Sequence, residues 1–215
     1  MVELGSSSAS PRRGRAPGHS RQEIAAAAIE VADSEGLGSV TMRSVALALG
    51  TGAASLYRYF STRDELLALM VDEVTGELRL NGPDDRPWVD QMLDLAHDAR
   101  DLYRRHPWMI EASSTAPALG PNGCAYLEHA LAVLAPTRSD GGTMLEAVAV
   151  FSAVTRLLSK EEHDRRDPGE AHAALAPSTD SFPHLAAALA DTGPSADQFD
   201  RVLRRVLSGL LPNDR

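Results

Sequence analysis

The chain has 215 residues, 43% of them hydrophobic and 24% charged, which is typical of a protein that buries a core. Its single cysteine, Cys124, excludes an intrachain disulfide and a cysteine-rich zinc site, and it favours a reducing, cytoplasmic location. We expect no membrane association, because the N-terminus lacks the apolar core of a secretory signal and no apolar run reaches the ~18 residues of a bilayer span.

Charge is distributed unevenly along the chain. The formal net charge is −9, yet residues 1–63 carry seven arginines against five acids, so the rest of the chain carries −11. Residues 36–63 contain three arginines and no Asp or Glu. A basic N-terminal unit on an acidic body is compatible with nucleic-acid binding, although a net +2 is weak support on its own.

The first 80 residues contain signals for a disordered arm and four helices. Residues 1–19 are rich in Ser, Pro, Gly and Arg and have no hydrophobic periodicity, which predicts disorder. Ser20 with Glu23 forms a capping box that opens the first helix, and Thr62 with Glu65 forms another. The predicted helices cover residues 21–35, 42–49, 53–59 and 63–78.

Beyond Pro87 the hydrophobic pattern stays helical. A stripe of apolar residues predicts a helix that begins at Trp88 and ends before Pro107. Residues 161–181 are polar and contain prolines, which predicts a loop. The sequence has no strand or hairpin pattern, so the predicted fold is all-α. The further predicted helices cover residues 108–112, 124–135, 143–159, 182–191 and 195–210.

The second and third predicted helices have the pattern of a helix-turn-helix. Ala46 is the small residue that lets the two helices approach, and Gly50 makes the turn between them. With Leu56 facing inward at ~100° per residue, Ala54 and Arg58 lie on the outward face. The residues predicted to form the shared core are Val45, Leu49, Leu56 and Phe60.

The outward face of the third helix has small residues, hydroxyls and an arginine, and it lacks a carboxylate. Small residues allow a helix to enter the major groove of DNA. Arginine binds guanine or phosphate, and the hydroxyls of Ser55 and Tyr57 can donate to phosphate. The residue types therefore favour DNA binding over a helix pair that only packs.

Residues 41–67, TMRSVALALGTGAASLYRYFSTRDELL, resemble the DNA-binding region of the tetracycline-repressor (TetR) family of bacterial transcription regulators. The preceding IAAAAIEVADSEGL is similar to the first helix of that family, and the L-Y-x-x-F element and the A-x-x-L-G turn fall in register. The predicted division of the chain is a disordered basic arm at 1–19, a helix-turn-helix domain at 20–66 and a helical effector-binding and dimerisation domain at 67–215.

The resemblance also implies which residues contact operator DNA. Arg63, where the family usually has lysine, is expected to cap the site against phosphate. Thr51 departs from the apolar residue common in the family, and Gly52 replaces the usual serine N-cap, which should weaken the helix start by a few tenths of a kcal/mol. The arginines of residues 1–19 either reach a neighbouring minor groove or take no part. The implied DNA contacts are Thr41, Arg43, Ala53, Ala54, Ser55, Tyr57, Arg58, Tyr59 and Arg63.

The C-terminal part is similar, more loosely, to the ligand-binding and dimerisation domain of the same family. This similarity implies an apolar effector pocket among the middle helices, with core packing as the alternative for each residue. His97 and His106 are either polar groups of this pocket or solvated residues. The predicted pocket residues are Met92, Leu95, Tyr103, Trp108, Met109, Tyr126 and Phe151. The predicted dimer interface consists of Leu145, Val148, Phe199, Val202, Leu203, Val206 and Leu210.

No pattern in the sequence points to catalysis or to a metal. Glu161, Glu162, His163 and Asp164 lack the spacing of metal ligands and are interpreted as a solvated charge run. The serine pair at 113–114 has no base or third partner that the sequence can place. We therefore predict that the protein is not an enzyme and that it needs no cofactor and no metal.

The sequence predicts a homodimeric, ligand-responsive, DNA-binding transcriptional regulator. The preferred form is a repressor that leaves a palindromic operator when a small molecule binds the C-terminal domain. The alternative is a helical enzyme or binding module that uses the helix-turn-helix only for packing. The sequence does not identify the effector, the operator or the regulated genes, and it leaves activation open beside repression.

Overall fold

The structure, a computed structural model of the chain, is helical throughout the residues that it describes, apart from the connections between helices. These residues contain no β-strand, so the predicted all-α fold is confirmed. Of the predicted N-terminal arm, only Gly18 and His19 are described. The described residues are 18–115, 119–164, 182–190 and 198–211.

Ten α-helices and two short 3-10 helices make up the described residues. The α-helices are α1 (Arg21–Glu35), α2 (Met42–Ala48), α3 (Ala53–Leu56), α4 (Arg63–Thr75), α5 (Trp88–Arg105), α6 (Met109–Thr115), α7 (Pro121–Leu134), α8 (Gly141–Asp164), α9 (Pro183–Ala190) and α10 (Gln198–Leu210). The 3-10 helices are Leu37–Ser39 and Ala135–Thr137.

Local hydrogen bonds fix the starts of α1 and α2. At α1, Ser20 Oγ accepts from the Glu23 amide at 3.1 Å and Glu23 Oε2 accepts from the Ser20 amide at 2.7 Å, which confirms the predicted capping box. At α2, Thr41 Oγ1 accepts from the Ser44 amide at 3.0 Å and Ser44 Oγ accepts from the Thr41 amide at 2.9 Å. Ser44 therefore has the role at α2 that glutamate has at α1.

The start of α4 differs from the prediction. Thr62 Oγ1 accepts from the Glu65 amide at 3.1 Å, as expected of an N-cap. Glu65 Oε2, however, accepts from the Ser61 amide at 2.8 Å. The predicted reciprocal box between Thr62 and Glu65 is wrong, because the glutamate side chain reaches one residue further back along the chain.

Gly50 turns the chain between α2 and α3, as predicted. Its φ of +63° lies in the left-handed region, where a residue with a Cβ is strained. The Gly50 amide donates to Leu47 O at 3.0 Å, and the Thr51 amide donates to Ala46 O at 2.9 Å. These bonds satisfy the last carbonyls of α2 and direct the chain into α3.

Gly50→Ala should lower the free energy of unfolding by about 1 kcal/mol. A Cβ at Gly50 would meet no atom within 4 Å, so the cost comes from the backbone angle alone. Chemical denaturation of the full chain measures the change. Gly38→Ala is the matched control, because a Cβ there is also free of contacts and its φ is not left-handed. Equal losses in the two variants would contradict this explanation.

The head, which consists of α1 to α3 and the first turns of α4, has its own apolar core. Val45, Ala46, Leu56 and Phe60 are buried, and Leu49 is half-buried against them, so the predicted core is confirmed. The third helix is shorter than predicted, because residues 57–59 form a turn after α3. In that turn the backbone bonds tighten to i→i+3 spacing, which is common where a short helix ends.

The body consists of α5 to α10, with the C-terminal half of α4 packed against it. Its core lies where α8 contacts α5 and α10. The core side chains include Met92, Leu134, Phe151 and Leu203, all of which are buried. In addition, α4 contacts α6 and α7, so the helix that begins in the head also packs against the body.

The head and the body are joined by α4, which runs without a break through residues 66 and 67. The head core also extends to Leu102 of α5 and to Trp108 and Met109 at the start of α6. The domain boundary predicted between residues 66 and 67 stays a prediction.

α8 is longer than the sequence predicts. A loop was expected from residue 161, yet the helix continues to Asp164, which pairs with Lys160 one turn earlier. Glu162 accepts hydrogen bonds from Arg104 of α5. One residue of the run that was interpreted as solvated therefore links α8 to α5. By length and mean composition α8 could span a membrane, although Glu146 and Arg156 interrupt its apolar residues; a core helix of a soluble protein meets the same criterion.

Candidate functional site

The outward face of α3 and of the turn after it is exposed, as expected. Tyr57 is 58% exposed, and Ala54 and Arg58 are exposed beside it. Arg58 Nη2 donates to Ser55 Oγ at 3.0 Å, so the guanidinium lies along α3. The structure therefore brings four of the predicted DNA contacts together on one surface, with hydroxyl and guanidinium donors and no carboxylate.

Two further predicted contacts, Ala53 and Tyr59, are half-buried against the head core. The Tyr59 carbonyl accepts a hydrogen bond from Arg21 Nη1. The guanidinium carbon of Arg21 lies 4.2 Å from the centre of the Phe60 ring, within cation–π range. Arg21 thus adds an exposed positive charge beside the end of α3. Arg21 was not among the predicted contacts, although its place in the first turn of α1 was the available signal.

The predicted contacts before α3 lie at the start of α2 and are exposed. The Thr41 hydroxyl takes part in the α2 cap, and the Arg43 side chain is exposed in the first turn of α2, about two turns before the helix-turn-helix bend. Together with Arg21 and Arg58, Arg43 gives the head surface a positive charge. A surface of this charge attracts a polyanion, and the attraction weakens as salt is added.

The side chain of Arg63 has an arrangement that the sequence did not predict. Its Nε donates to Val40 O at 2.7 Å and its Nη2 donates to Leu37 O at 2.9 Å, and the residue is half-buried. Arg63 therefore ties the start of α4 to the segment just before α2. The structure points to a positioning role, and a phosphate contact through the remaining nitrogen stays a prediction.

Asp33 on α1 connects the head to the body. Its Oδ1 accepts from Trp108 Nε1 at 2.6 Å and lies 2.7 Å from His106 Nδ1. The other ring nitrogen of His106 is 3.3 Å from Glu77 Oε1, beyond the end of α4. Neither prediction for His106 holds, because it is neither a pocket group nor a solvated residue but a bridge between the two parts of the chain.

His97 also lies outside the pocket. Its Nε2 is 2.9 Å from Asp200 Oδ1, and its ring packs against the Phe199 ring with centroids 5.3 Å apart. These contacts join α5 to α10. His97 therefore has a packing role in the body, with its ring part-exposed.

A partly open cavity of about 640 Å³ lies between α4, α5, α6, α7 and α8. This volume lies within the usual range for sites that hold drug-sized ligands. Of the seven predicted pocket residues, four line the cavity. They are Tyr103, Met109, Tyr126 and Phe151.

The other three predicted pocket residues do not line this cavity. Met92 and Leu95 are buried in the body core, on the same stripe of α5 as the cavity-lining Ala99 but nearer the N-terminus of the helix. Trp108 is buried against the head core, where its indole nitrogen binds Asp33. The helical stripe in the sequence identified these three as buried but could not say which neighbouring helix each one contacts.

Tyr126 and Ser152 form a hydrogen-bonded polar pair in the wall of the cavity. Tyr126 Oη and Ser152 Oγ are 2.8 Å apart and share a hydrogen bond. Burial raises the pKa of Tyr126 to about 12, so its phenol keeps its proton at neutral pH. Burial also raises the pKa of Tyr103, while the nearby charge of Arg156 and a hydrogen bond with Ser113 act in the opposite direction.

A buried carboxylate, Asp72 of α4, holds the N-terminus of α7 at the edge of the cavity. Its Oδ1 accepts from the Gly123 amide at 2.9 Å and its Oδ2 accepts from the Asn122 amide at 3.3 Å. Asn122 Nδ2 donates back to Asp72 O at 3.0 Å. The partial positive charge of a helix N-terminus stabilises such a carboxylate. Asp72 was not among the predicted site residues, because α4 also carries Asp64, Glu65 and Glu73 and no local pattern distinguishes the buried acid from these three.

The predicted dimer interface divides into two groups. Val148, Phe199 and Leu203 are buried in the body core, so a monomer already covers them and their assignment to an interface is wrong. Leu145 and Leu210 are exposed, and Val202 and Val206 are half-buried. The apolar faces of α8 and α10, which the sequence analysis assigns to the dimer interface, are partly used to pack these helices on each other. Further exposed apolar residues on α8 are Val150 and Leu157.

The described residues contain no group of three His, Cys, Asp or Glu side chains that is placed to hold a metal ion. What they do contain is a helix-turn-helix with a positively charged, acid-free surface and a helical body with an apolar cavity. This combination defines a one-component transcription regulator, in which one chain carries both a DNA-binding unit and a sensor.

Comparison with protein families identifies the class more narrowly. The family model described as bacterial regulatory proteins, tetR family, matches residues 24–70, and the model described as tetracyclin repressor-like, C-terminal domain, matches residues 80–213. The chain belongs to the TetR family of bacterial transcription regulators. The resemblance seen in the sequence is confirmed.

Relatives and solved structures agree with this assignment. The chain is 32% identical to the HTH-type transcriptional repressor DrrR1 of Streptomyces coeruleorubidus over 93% of this chain and 80% of the relative. It is also 32% identical to an HTH-type transcriptional regulator of Saccharopolyspora erythraea over 88% and 84% of the two chains. The crystal structure of the TetR family protein ActR of Streptomyces coelicolor in complex with actinorhodin superposes with a TM-score of 0.79 at 26% identity, covering 89% of this chain and 96% of ActR.

Proposed function

We propose that this protein is a transcriptional repressor that binds a palindromic operator as a homodimer and releases it when a small molecule enters the cavity of the body. The observation that carries the proposal is α4. This helix begins beside the exposed face of α3 and continues into the cavity wall, where Ala68, Val71 and Thr75 line the space. One rigid element therefore joins the DNA-binding face to the sensor.

The DNA contacts in this proposal are centred on Tyr57 and Arg58. Ser55, Ala54 and Arg43 lie on the same side, and Arg21 is a further candidate for phosphate. The N-terminal arm enters α1 close to this surface, since a Cβ at Gly18 would lie 2.6 Å from the Tyr59 hydroxyl. This proximity supports the minor-groove alternative for the arginines of the arm.

Release of DNA would follow from a shift between two arrangements of the heads. The ligand must bind the arrangement that does not fit the operator more tightly, by about 1–3 kcal/mol for a typical allosteric coupling. The contacts of Asp72 with α7 and of Asp33 with His106 and Trp108 are the polar joints through which the cavity walls can move α4 and α1.

Homodimerisation in this proposal uses the exposed apolar residues of α8 and α10. Leu157 is 54% exposed and Val150 is 41% exposed, and Leu210 is exposed at the end of α10. Helix pairs of this kind form four-helix bundles across a two-fold axis. Such an axis would place two heads on successive major grooves of a palindrome.

The curated relatives support regulation over the alternative of an enzyme or a binding module. One of them is named a repressor, which favours repression over activation for this chain as well. The complex of ActR with actinorhodin supports the ligand-responsive part of the proposal. A cytoplasmic location belongs to the proposal, because the operator is chromosomal DNA.

The double variant Tyr57→Ala/Arg58→Ala should lose at least about 100-fold in affinity for an operator fragment, because it removes two donors from the centre of the surface. A gel shift with the DNA upstream of the gene of this protein measures the affinity, and the wild-type complex should weaken steeply as salt is raised. Arg79→Ala is the control, since Arg79 is an exposed arginine outside the head. Binding that survives the double substitution would overturn the placement of the site.

A further inference from the structure

Three polar side chains of α8 share one face that borders the cavity: Ser152, Thr155 and Arg156. Their spacing of three and four residues places them next to one another on the helix surface. Ser152 has a partner in Tyr126, at 2.8 Å. The other two residues of this polar face have no comparable partner among the residues that the structure describes.

The hydroxyl of Thr155 is the first of these. The residue is 2% exposed, and its Oγ1 has no hydrogen-bond partner among the residues that the structure describes. An unpaired buried hydroxyl costs free energy, and such groups are uncommon in folded proteins. A polar group of this kind in the wall of a cavity indicates a partner that enters the cavity.

The guanidinium of Arg156 is the second. Arg156 lines the cavity and is half-buried, and no acidic side chain in the described parts of the chain forms an ion pair with it. The carboxylate that does line the cavity, Asp72, accepts from the amides at the start of α7. Within the described part of the chain, the Arg156 side of the cavity therefore carries a positive charge without a matching negative charge.

The remainder of the wall is mostly apolar. Leu102, Met109, Leu127, Val148 and Phe151 supply aliphatic and aromatic surface. An apolar space of about 640 Å³ with one cationic end suits a ligand that has an apolar body and one charged end.

We propose that the effector is an apolar monoanion of drug-like size, such as a ring system with a carboxylate, sulfonate or acidic phenolate, whose charged oxygens bind Arg156 and Thr155. Guanidinium groups bind oxyanions through two parallel N–H donors, and the Thr155 hydroxyl can donate a further hydrogen bond. The apolar body of the ligand then lies against Met109, Leu127 and Phe151. This inference rests on the proposed function, in that it describes the ligand of the same cavity.

Two fluorescent probes that differ only in a sulfonate group test the proposal. 1-Anilinonaphthalene-8-sulfonate is an anion, and N-phenyl-1-naphthylamine is the same ring system without the sulfonate. The full chain should bind both probes. Arg156→Gln should lower the affinity for the anionic probe by about 10-fold and change the affinity for the neutral probe by less than about 2-fold. Arg138→Gln, at an exposed arginine outside the cavity, should leave the affinity for both probes unchanged. Equal losses for both probes, no loss for the anion, or no binding of either probe would overturn the proposal.

Thr155→Val separates a ligand-binding role of the hydroxyl from a structural one. The substitution is isosteric, and because the hydroxyl has no partner, the melting temperature should stay the same or rise. Binding of the anionic probe should still weaken by several-fold. A lower melting temperature with unchanged probe binding would assign the hydroxyl to folding and overturn its role in the site. These titrations contain no DNA, so they stand apart from the gel shift that tests the proposed function.

Discussion

Phe60→Ala is expected to lower the free energy of unfolding by about 3–5 kcal/mol, the usual cost of truncating a fully buried phenylalanine. Phe60 is 0% exposed and lies at the junction of α3 and α4, where the Arg21 guanidinium covers one face of its ring. The space left by the missing Phe60 ring would remove the contact that holds α3 against the rest of the head. Urea denaturation followed by circular dichroism measures the loss, and operator binding should fall with it.

Leu47→Ala is the matched control for this prediction. Leu47 is also a large apolar residue of the head, but it is 80% exposed. Its truncation should change the free energy of unfolding by no more than about 0.5 kcal/mol. A similar cost for Leu47→Ala and Phe60→Ala would mean that the head core has been assigned to the wrong residues.

Asp72→Ala is expected to lower the free energy of unfolding by about 2–3 kcal/mol, because it leaves the Asn122 and Gly123 amides without their carboxylate inside a packed interface. The start of α7 would lose both a cap and a favourable charge at its positive end. Thermal and chemical unfolding of the variant measure the effect.

Asp85→Ala provides the comparison for Asp72→Ala. Asp85 is an exposed aspartate in the connection between α4 and α5, so its removal should be nearly neutral. If Asp72→Ala were as mild as Asp85→Ala, the α4–α7 contact would not depend on the carboxylate. Asp72→Asn refines the result, because it keeps the size of the side chain and removes only the charge.

Features that depend on neighbouring residues in the sequence could be predicted well. The capping box of Ser20 with Glu23 and the turn at Gly50 follow from residues a few positions apart, so the sequence contains the whole interaction. The buried core residues of the head, including Val45 and Leu56, follow from helical periodicity over two short helices.

Features that depend on distant parts of the chain could not be predicted. Met92 and Phe151 both have the pattern of buried residues and both belong to the body core, but only packing decides that Phe151 also lines the cavity. The same limit explains Val148 and Leu203, whose apolar character fits a core as well as an interface. Asp33 lies 73 positions before His106 and 75 positions before Trp108 in the sequence, so no local pattern encodes these contacts.

The bonds from Arg63 to the Val40 and Leu37 carbonyls have a geometric consequence. They fix the start of α4 to the helix-turn-helix, so the 13-residue helix, about 20 Å long, behaves as a lever with its far end at the cavity. A tilt of about 5° over that length displaces one end by about 1.7 Å relative to the other. In the proposed dimer the two displacements add to about 3.5 Å, roughly a tenth of the ~34 Å between successive major grooves. In the proposed mechanism, a movement of the cavity wall by less than the width of one atom would therefore change the spacing of the two recognition surfaces.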